Sequence, residues 1–321
     1  MLTPEQKQFF NTSGYLVVED VLDQQNVLAP VRREYSALLD DLYTAWYARG
    51  EVTIPPAKLD FHGKLLEAYR AGCDWFQPMD ISLPGDRITL DTPMHFSPAI
   101  FDLVTNPRLL DMVEDLIGPE ITSNPIQHVR IKPPAGDLRD DEVRAHITAT
   151  DWHQDRGVTH DEADETTMIT VWCAVSDATV ENGCLQVVPR KPDTAILPHC
   201  PKKQTAIADG FVDEASAIPL PVAAAVVVIF HPLTPRIPAP TRPTVFLFVR
   251  PLFQRVTGQP TGRSHFPHFV ARSRANPQSE LHDWRQWRAM WEEARARLAV
   301  APHINIHRWA SDAPCVPERP R

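Results

Sequence analysis

Trp152-His153-Gln154-Asp155 sets an imidazole and a carboxylate two residues apart. In an extended segment that spacing turns both side chains to one face, where they can reach one ion. A neutral imidazole beside a hard carboxylate suits Fe(II) better than the thiolate-preferring metals. The pair supplies two thirds of a 2-His-1-carboxylate set, which leaves positions on the iron for a chelating cosubstrate and O2. His153 and Asp155 are therefore the candidate metal ligands. An isolated His-x-Asp is more often a buried histidine bonded to its neighbours, so the surrounding sequence has to decide between the two readings.

The elements that would position this pair change character along the chain. Thr3-Pro4-Glu5 offers a capping hydroxyl followed by proline at the first helical position, and the helix it opens stops near Ser13-Gly14. Tyr15-Leu16-Val17-Val18 reads as a strand. Val27 to Tyr47 has helical spacing through Val31, Tyr35, Leu38, Leu39, Leu42 and Trp46, and Leu109 to Ile117 repeats it more briefly. From Ile121 the pattern becomes short apolar runs bounded by Pro, Gly, Asn and Asp. The predicted strands are Gln127–Lys132, Met168–Val175, Leu185–Val188 and Val222–Phe230, an antiparallel all-β body. The apolar run from Ala223 to Ile229 predicts a strand buried on both faces. A final helix carries Trp284, Trp287 and Trp291 at i, i+3 and i+7, a core-packing stripe.

Two further groups of polar residues adjoin the motif. His128, Arg130 and Lys132 alternate on a predicted strand and so share a face, placed to meet an acidic ligand or to form a solvated surface. His160, Asp161, Glu162, Asp164 and Glu165 follow the motif in a loop that is a lid or simply exposed charge.

With 321 residues the chain can bury a full core as one domain. Its formal charge of -9 and lack of a long basic run argue against a nucleic-acid surface, so the expected ligand is small. Cys73, Cys173, Cys184, Cys200 and Cys315 are odd in number, widely spaced and form no C-x-x-C, which suggests neither a disulfide framework nor a zinc knuckle. The N-terminus lacks a charged region followed by an apolar one, and no run of 18 apolar residues occurs. A cytoplasmic protein with no membrane partner is expected; its oligomeric state is left open.

The motif's surroundings carry a resemblance. Trp152 to Gly157, then Val171-Trp172, then Asp177-Ala178-Thr179-Val180-Glu181-Asn182-Gly183-Cys184-Leu185-Gln186-Val187-Val188-Pro189, then Phe230-His231-Pro232-Leu233-Thr234 resemble the phytanoyl-CoA dioxygenase family in order and content. The likeness runs from the N-terminal helix to about residue 270. It implies a mainly β, double-stranded β-helix (jelly roll, cupin-like) with flanking α-helices, using Fe(II) and 2-oxoglutarate. The expected layout over 1–321 is a single dioxygenase-like domain: a helical part to about 118, a jelly-roll core over about 119–256, and a helical extension over about 257–321. His153 and Asp155 match the first two metal ligands, and Gln154 and Trp172 match positions that approach 2-oxoglutarate in some members. Asn182-Gly183 matches a turn, read as a hairpin with glycine at positive φ.

The chain departs from the family at the third ligand. A pattern like H-P-L-x-x-H, followed by serine, asparagine and a 2-oxoglutarate-binding arginine, is expected, and its last position here is Arg236. A guanidinium has no lone pair and is always charged, so it cannot replace the histidine. His231 lies five residues earlier, most of a strand away. Arg242 is the expected partner of the 2-oxoglutarate carboxylate and Arg250 the other basic candidate, although neither has the family's offset. Reading the codons of Pro235 to Phe246 one base earlier permits Pro-His, three small residues, then Asn-Thr-Ser-Asp-Gly-Phe, which restores the family's text. Two compensating frameshifts bracketing residues 236–252 are the hypothesis that would account for this.

The sequence thus leads to an Fe(II)- and 2-oxoglutarate-dependent dioxygenase that hydroxylates a small molecule with O2 and releases succinate. The alternative is a catalytically impaired jelly-roll binding protein, because Arg236 stands at the distal-histidine position. A cupin-like isomerase has less support, as no motif of that kind is present.

Overall fold

Capping chemistry and apolar periodicity set the helices of the first third, in a computed structural model that describes residues 1–84, 87–140, 142, 147, 150–202, 205–238, 246–255 and 266–300. Helix α1 (Pro4–Ser13) starts at a capping box: Thr3 accepts from the Gln6 amide while the Gln6 side chain accepts from Thr3. It ends at Gly14, whose φ of 77° is the left-handed conformation that closes a helix cheaply only at glycine. Strand β1 (Tyr15–Val18) follows. Asp23 then caps a wide single turn, Gln24–Leu28, that leads into α2 (Ala29–Ala48), with Val31, Tyr35, Leu39, Tyr43 and Trp46 buried along one stripe. Helices α3 (Phe61–Arg70), α4 (Phe76–Met79), α5 (Pro98–Val104) and α6 (Pro107–Ile117) complete the layer.

The strands are β2 (Glu120–Lys132), β3 (Met168–Ala174), β4 (Leu185–Val187), β5 (His199–Pro201), β6 (Thr205–Ile207), β7 (Ile218–Leu220), β8 (Val227–Phe230), β9 (Arg236–Pro238), β10 (Phe246–Arg255) and β11 (Phe269–Ser273). They form an antiparallel sheet in the order β1-β8-β3-β10-β2-β11, a small sheet β7-β4-β9, and the pair β5-β6. Helical residues outnumber strand residues among those described, so the expectation of a mainly β chain is corrected to a mixed one with antiparallel sheets.

Period-2 alternation explains how the large sheet is buried twice over. Ile169, Val171 and Cys173 of β3 join the helices in the main apolar cluster, which also takes Val31, Tyr35, Leu65 and Val113. Trp172 and Ala174 point the other way, into a second cluster with Leu185 and Val187 of the small sheet and Val228 and Phe230 of β8. Every residue of β3 and β8 is buried. The run expected as one strand over Val222–Phe230 is shorter than predicted. Ala225 adopts a φ of 79°, which breaks extension, and only Val227–Phe230 pairs as a strand, while Val222 makes an isolated bridge to Ala178. Gly183, with φ 94°, supplies the positive-φ turn before β4.

Helix α7 (Trp284–Val300) lays Trp287 and Trp291 on an aromatic layer. Trp287 meets Phe96, Phe101 and Phe269 at ring-centroid distances of 4.7, 5.8 and 5.6 Å. No helix among the described residues is long and apolar enough to cross a membrane. Cys73, Cys173 and Cys184 are free thiols, but Cys200 is disulfide-bonded, a correction to the reading of isolated cysteines. Trp287→Ala removes the centre of the aromatic layer and is expected to destabilise the chain by about 3–5 kcal/mol, measured by urea unfolding monitored in the near-ultraviolet.

Candidate functional site

The site forms where the motif bridges to β9, an edge strand of the small sheet. His153 and Arg236 are directly paired: the His153 amide donates to the Arg236 carbonyl at 3.1 Å and the Arg236 amide to the His153 carbonyl at 3.0 Å. That bridge is isolated, and the extended backbone expected through the motif ends at Gln154, with φ -109° and ψ 138°. Asp155 instead begins a single 3-10 turn, Asp155–Val158. The turn is tight against a neighbour: a Cβ on Gly157 would lie 2.3–2.6 Å from the His199 ring, a position that only glycine fills without displacement. His199 also accepts from the Gln154 amide through Nε2 at 3.1 Å and bonds the Leu197 carbonyl through Nδ1, which fixes the backbone between the two motif residues.

Asp155 is 1% exposed, and among the described residues three donor atoms reach its carboxylate. Arg236 reaches Oδ1 through Nη2 at 2.5 Å and Oδ2 through Nε at 3.2 Å, while Thr170 donates from Oγ1 to Oδ2 at 2.6 Å. This is the bidentate fork that a planar guanidinium makes with a carboxylate. The guanidinium carbon lies 5.0 Å from the centre of the Phe230 ring. His153 bonds the Asp151 carbonyl through Nδ1 at 2.9 Å, the orientation that fixes the tautomer of a ligating histidine, and its Nε2 lies 3.9 Å from Asp155 Oδ1.

His153 and Asp155 are therefore brought together, with residue 236 beside both, as three ligands would be. The donor set does not fit a metal. Arg236 places a positive charge on the carboxylate oxygens that an ion would use, and the described residues contain no cluster of three His, Cys, Asp or Glu able to hold one.

Gln154 is fully buried and its amide bonds the Ala195 and Leu233 carbonyls and the Leu197 amide. Trp172 is buried in the cluster between the sheets, one residue pair along β3 from Thr170. Arg242 lies outside the described residues. Arg250 belongs to β10, opposite His128. The shifted-frame segment starts in β9, which pairs with β4, and reaches β10, which pairs with β2 and β3; residues 239–245 between them are not among those described.

His231 is engaged elsewhere. Arg190 Nη1 lies 3.0 and 2.8 Å from its two ring nitrogens, and the Leu233 amide donates to Nδ1. Burial, then the charges of Arg190 and Arg156, push its pKa down to about 4. The face of His128 and Arg130 turns to an internal acid that the sequence did not single out. Asp80 accepts from Arg130 Nη1 at 2.6 Å, from the Val129 amide at 2.9 Å and from Ser82 Oγ at 3.2 Å, and lies 3.0 Å from His128 Nδ1. Burial alone would raise the Asp80 carboxyl, but Arg130 and His128 outweigh it and hold it well below the usual carboxylate range. Lys132 is buried, and that burial together with Arg130 pushes its ammonium well below the usual lysine range. In the charged loop Asp161, Glu162, Asp164 and Glu165 are exposed, and Arg156 ties its base by donating to the Ala163 and Thr166 carbonyls.

Thr170, His199 and Asp80 were missed from sequence. Only Thr170 had a signal: alternation with Trp172 along β3 puts it on the same face.

The family model described as phytanoyl-CoA dioxygenase (PhyH) matches residues 10–235, and the chain belongs to that family. The family uses Fe(II) and 2-oxoglutarate. Among solved structures the chain is similar to the apo form of the non-heme monooxygenase ThoJ, with 16% identity and a TM-score of 0.55, over 93% of this chain and 100% of that one. It is also similar to EvdO2 from Micromonospora carbonacea var. aurantiaca, with 20% identity and a TM-score of 0.50 over 80% and 92% of the two chains. EctD from S. alaskensis in its apoform shares 16% identity at a TM-score of 0.50, over 81% of each. At these identities the likeness concerns the fold. No curated protein matches the chain.

His231 makes stability depend on pH. Its folded pKa lies below its ordinary value of 6.5, so the unfolded chain binds the extra proton and stability is lost as pH falls from about 6.5 toward about 4. The loss expected from this residue is on the order of 2 kcal/mol, discounted because the ring is partly exposed. His231→Gln should flatten that part of a stability profile measured by denaturant titration at stepped pH.

Proposed function

We propose that this chain is a jelly-roll protein, a double-stranded β-helix built as a single dioxygenase-like domain over 1–321, which takes a small-molecule ligand. The reaction class of such a domain, when its site is complete, is hydroxylation of the small molecule by one atom of O2, coupled to oxidative decarboxylation of 2-oxoglutarate to succinate, which takes the other atom, and CO2. With Arg236 in place, the chain binds without oxidising. The observation that carries this reading is the Asp155–Arg236 fork, which occupies the carboxylate an iron ion requires.

In a complete site His153 and Asp155 are the proposed metal ligands, with Gln154, Trp172 and Arg242 proposed beside 2-oxoglutarate. The cytoplasmic location expected from the sequence has the disulfide at Cys200 against it. Family membership supports the scaffold and its reaction class. The missing third ligand supports the silent form.

The test is direct. The purified chain is loaded with Fe(II) without oxygen, desalted, assayed for bound metal, and then incubated with 2-oxoglutarate in air. Substoichiometric iron and succinate at background are expected; one equivalent of iron with steady succinate formation would make it a working oxygenase instead. Resequencing the source DNA across codons 225–260 decides which chain the gene encodes. If the shifted frame is read, the encoded protein is expected to bind one equivalent of iron and form succinate in the same assay.

A further inference from the structure

We propose that Arg236 is a built-in counter-ion that does a metal's structural work, clamping the two sheets to the His153–Asp155 turn; this rests on the metal-free reading above. A buried carboxylate needs a positive charge and hydrogen-bond donors close by, since leaving it alone in an apolar interior is far too costly. A metalloprotein supplies an ion there. This chain supplies a guanidinium.

The geometry gives that substitution its mechanical meaning. Thr170 belongs to β3 in the large sheet, Arg236 to β9 in the small sheet, and Asp155 to the connection between β2 and β3. Through Thr170 Oγ1 at 2.6 Å and the two Arg236 contacts at 2.5 and 3.2 Å, one carboxylate joins all three segments. An ion held by His153, Asp155 and a ligand at position 236 would tie together the same turn and the same strand.

Arg236 is also fixed from behind. Its backbone pairs with His153 on one side and, in the register of β9 with β4, with Val187 on the other. Phe230 lies against its guanidinium. Its charge is delivered to one place and shares that place with any cation that Asp155 could bind. Guanidinium and metal are therefore mutually exclusive.

Thermal unfolding of the full chain in EDTA and in saturating Ni(II) tests this without reference to catalysis. The unaltered chain should melt at the same temperature in both. Arg236→Met takes the guanidinium from a buried carboxylate and should lower the melting temperature by roughly 5–15 °C in both conditions. Arg236→His should be lowered equally in EDTA and should recover most of the loss in Ni(II), with one ion bound per chain. If Arg236→Met is too unstable to purify, the double variant Asp155→Leu/Arg236→Met should fold and melt near the unaltered chain, because it removes both charges together.

Arg236→Met melting with the unaltered chain would overturn the proposal, as would saturable one-to-one Ni(II) stabilisation of the unaltered chain or no Ni(II) response in Arg236→His. Succinate formation by the unaltered chain is a separate result. It would sink the binding-only function, whereas the melting series alone judges the clamp.

Discussion

The contact on which the site depends is the ion pair between Asp155 and Arg236, both almost wholly excluded from solvent. In water such a pair contributes little, because each partner is well solvated alone. Here neither partner has that option. Removing either one leaves a charge in the interior, so the cost of breaking the pair exceeds the benefit of having formed it. The pair consequently fixes geometry more than it adds stability, and the geometry it fixes is that of three chain segments meeting at one carboxylate.

That meeting needs a frame. The large sheet is covered on one face by helices and on the other by the small sheet, and the same alternation that sends Val171 to the helices sends Thr170 and Trp172 inward. The inward face is not uniformly apolar. Thr170 bonds Asp155, and His128 and Arg130 on β2 gather at Asp80. In each case buried charge is matched to a specific opposite charge with further donors completing the carboxylate's shell, the condition under which an interior tolerates ions at all. Gln154 and His199 extend the same logic to neutral groups, spending their polar atoms on the backbone around the motif.

Membership of a family that uses Fe(II) and 2-oxoglutarate makes the departure at one residue informative. A ligating histidine offers a lone pair, whereas arginine offers only donors. With arginine at position 236 the carboxylate of Asp155 already has a cation beside it, and the backbone of that same residue pairs with His153.

Local interactions made much of the chain legible from sequence. The Thr3 capping box, the Gly14 stop, the stripe through α2 and the tryptophans of α7 depend on neighbours within a turn or two, and all appear where the spacing put them. The pairing of His153 with Asp155 and the anomaly at Arg236 were likewise readable as residue types in order. What the sequence could not decide was anything that depends on distant segments. Ala225 breaks an apolar run that reads as continuous, and the motif lies in a bridge and a turn rather than a strand, because tertiary packing against His199 and β9 sets its backbone. Arg236 reads as a missing ligand, an absence. Only the fold, by carrying β9 across the motif to within 2.5 Å of Asp155, turns that absence into an ion pair, since the partner of a buried charge is chosen by proximity in space and not by position along the chain.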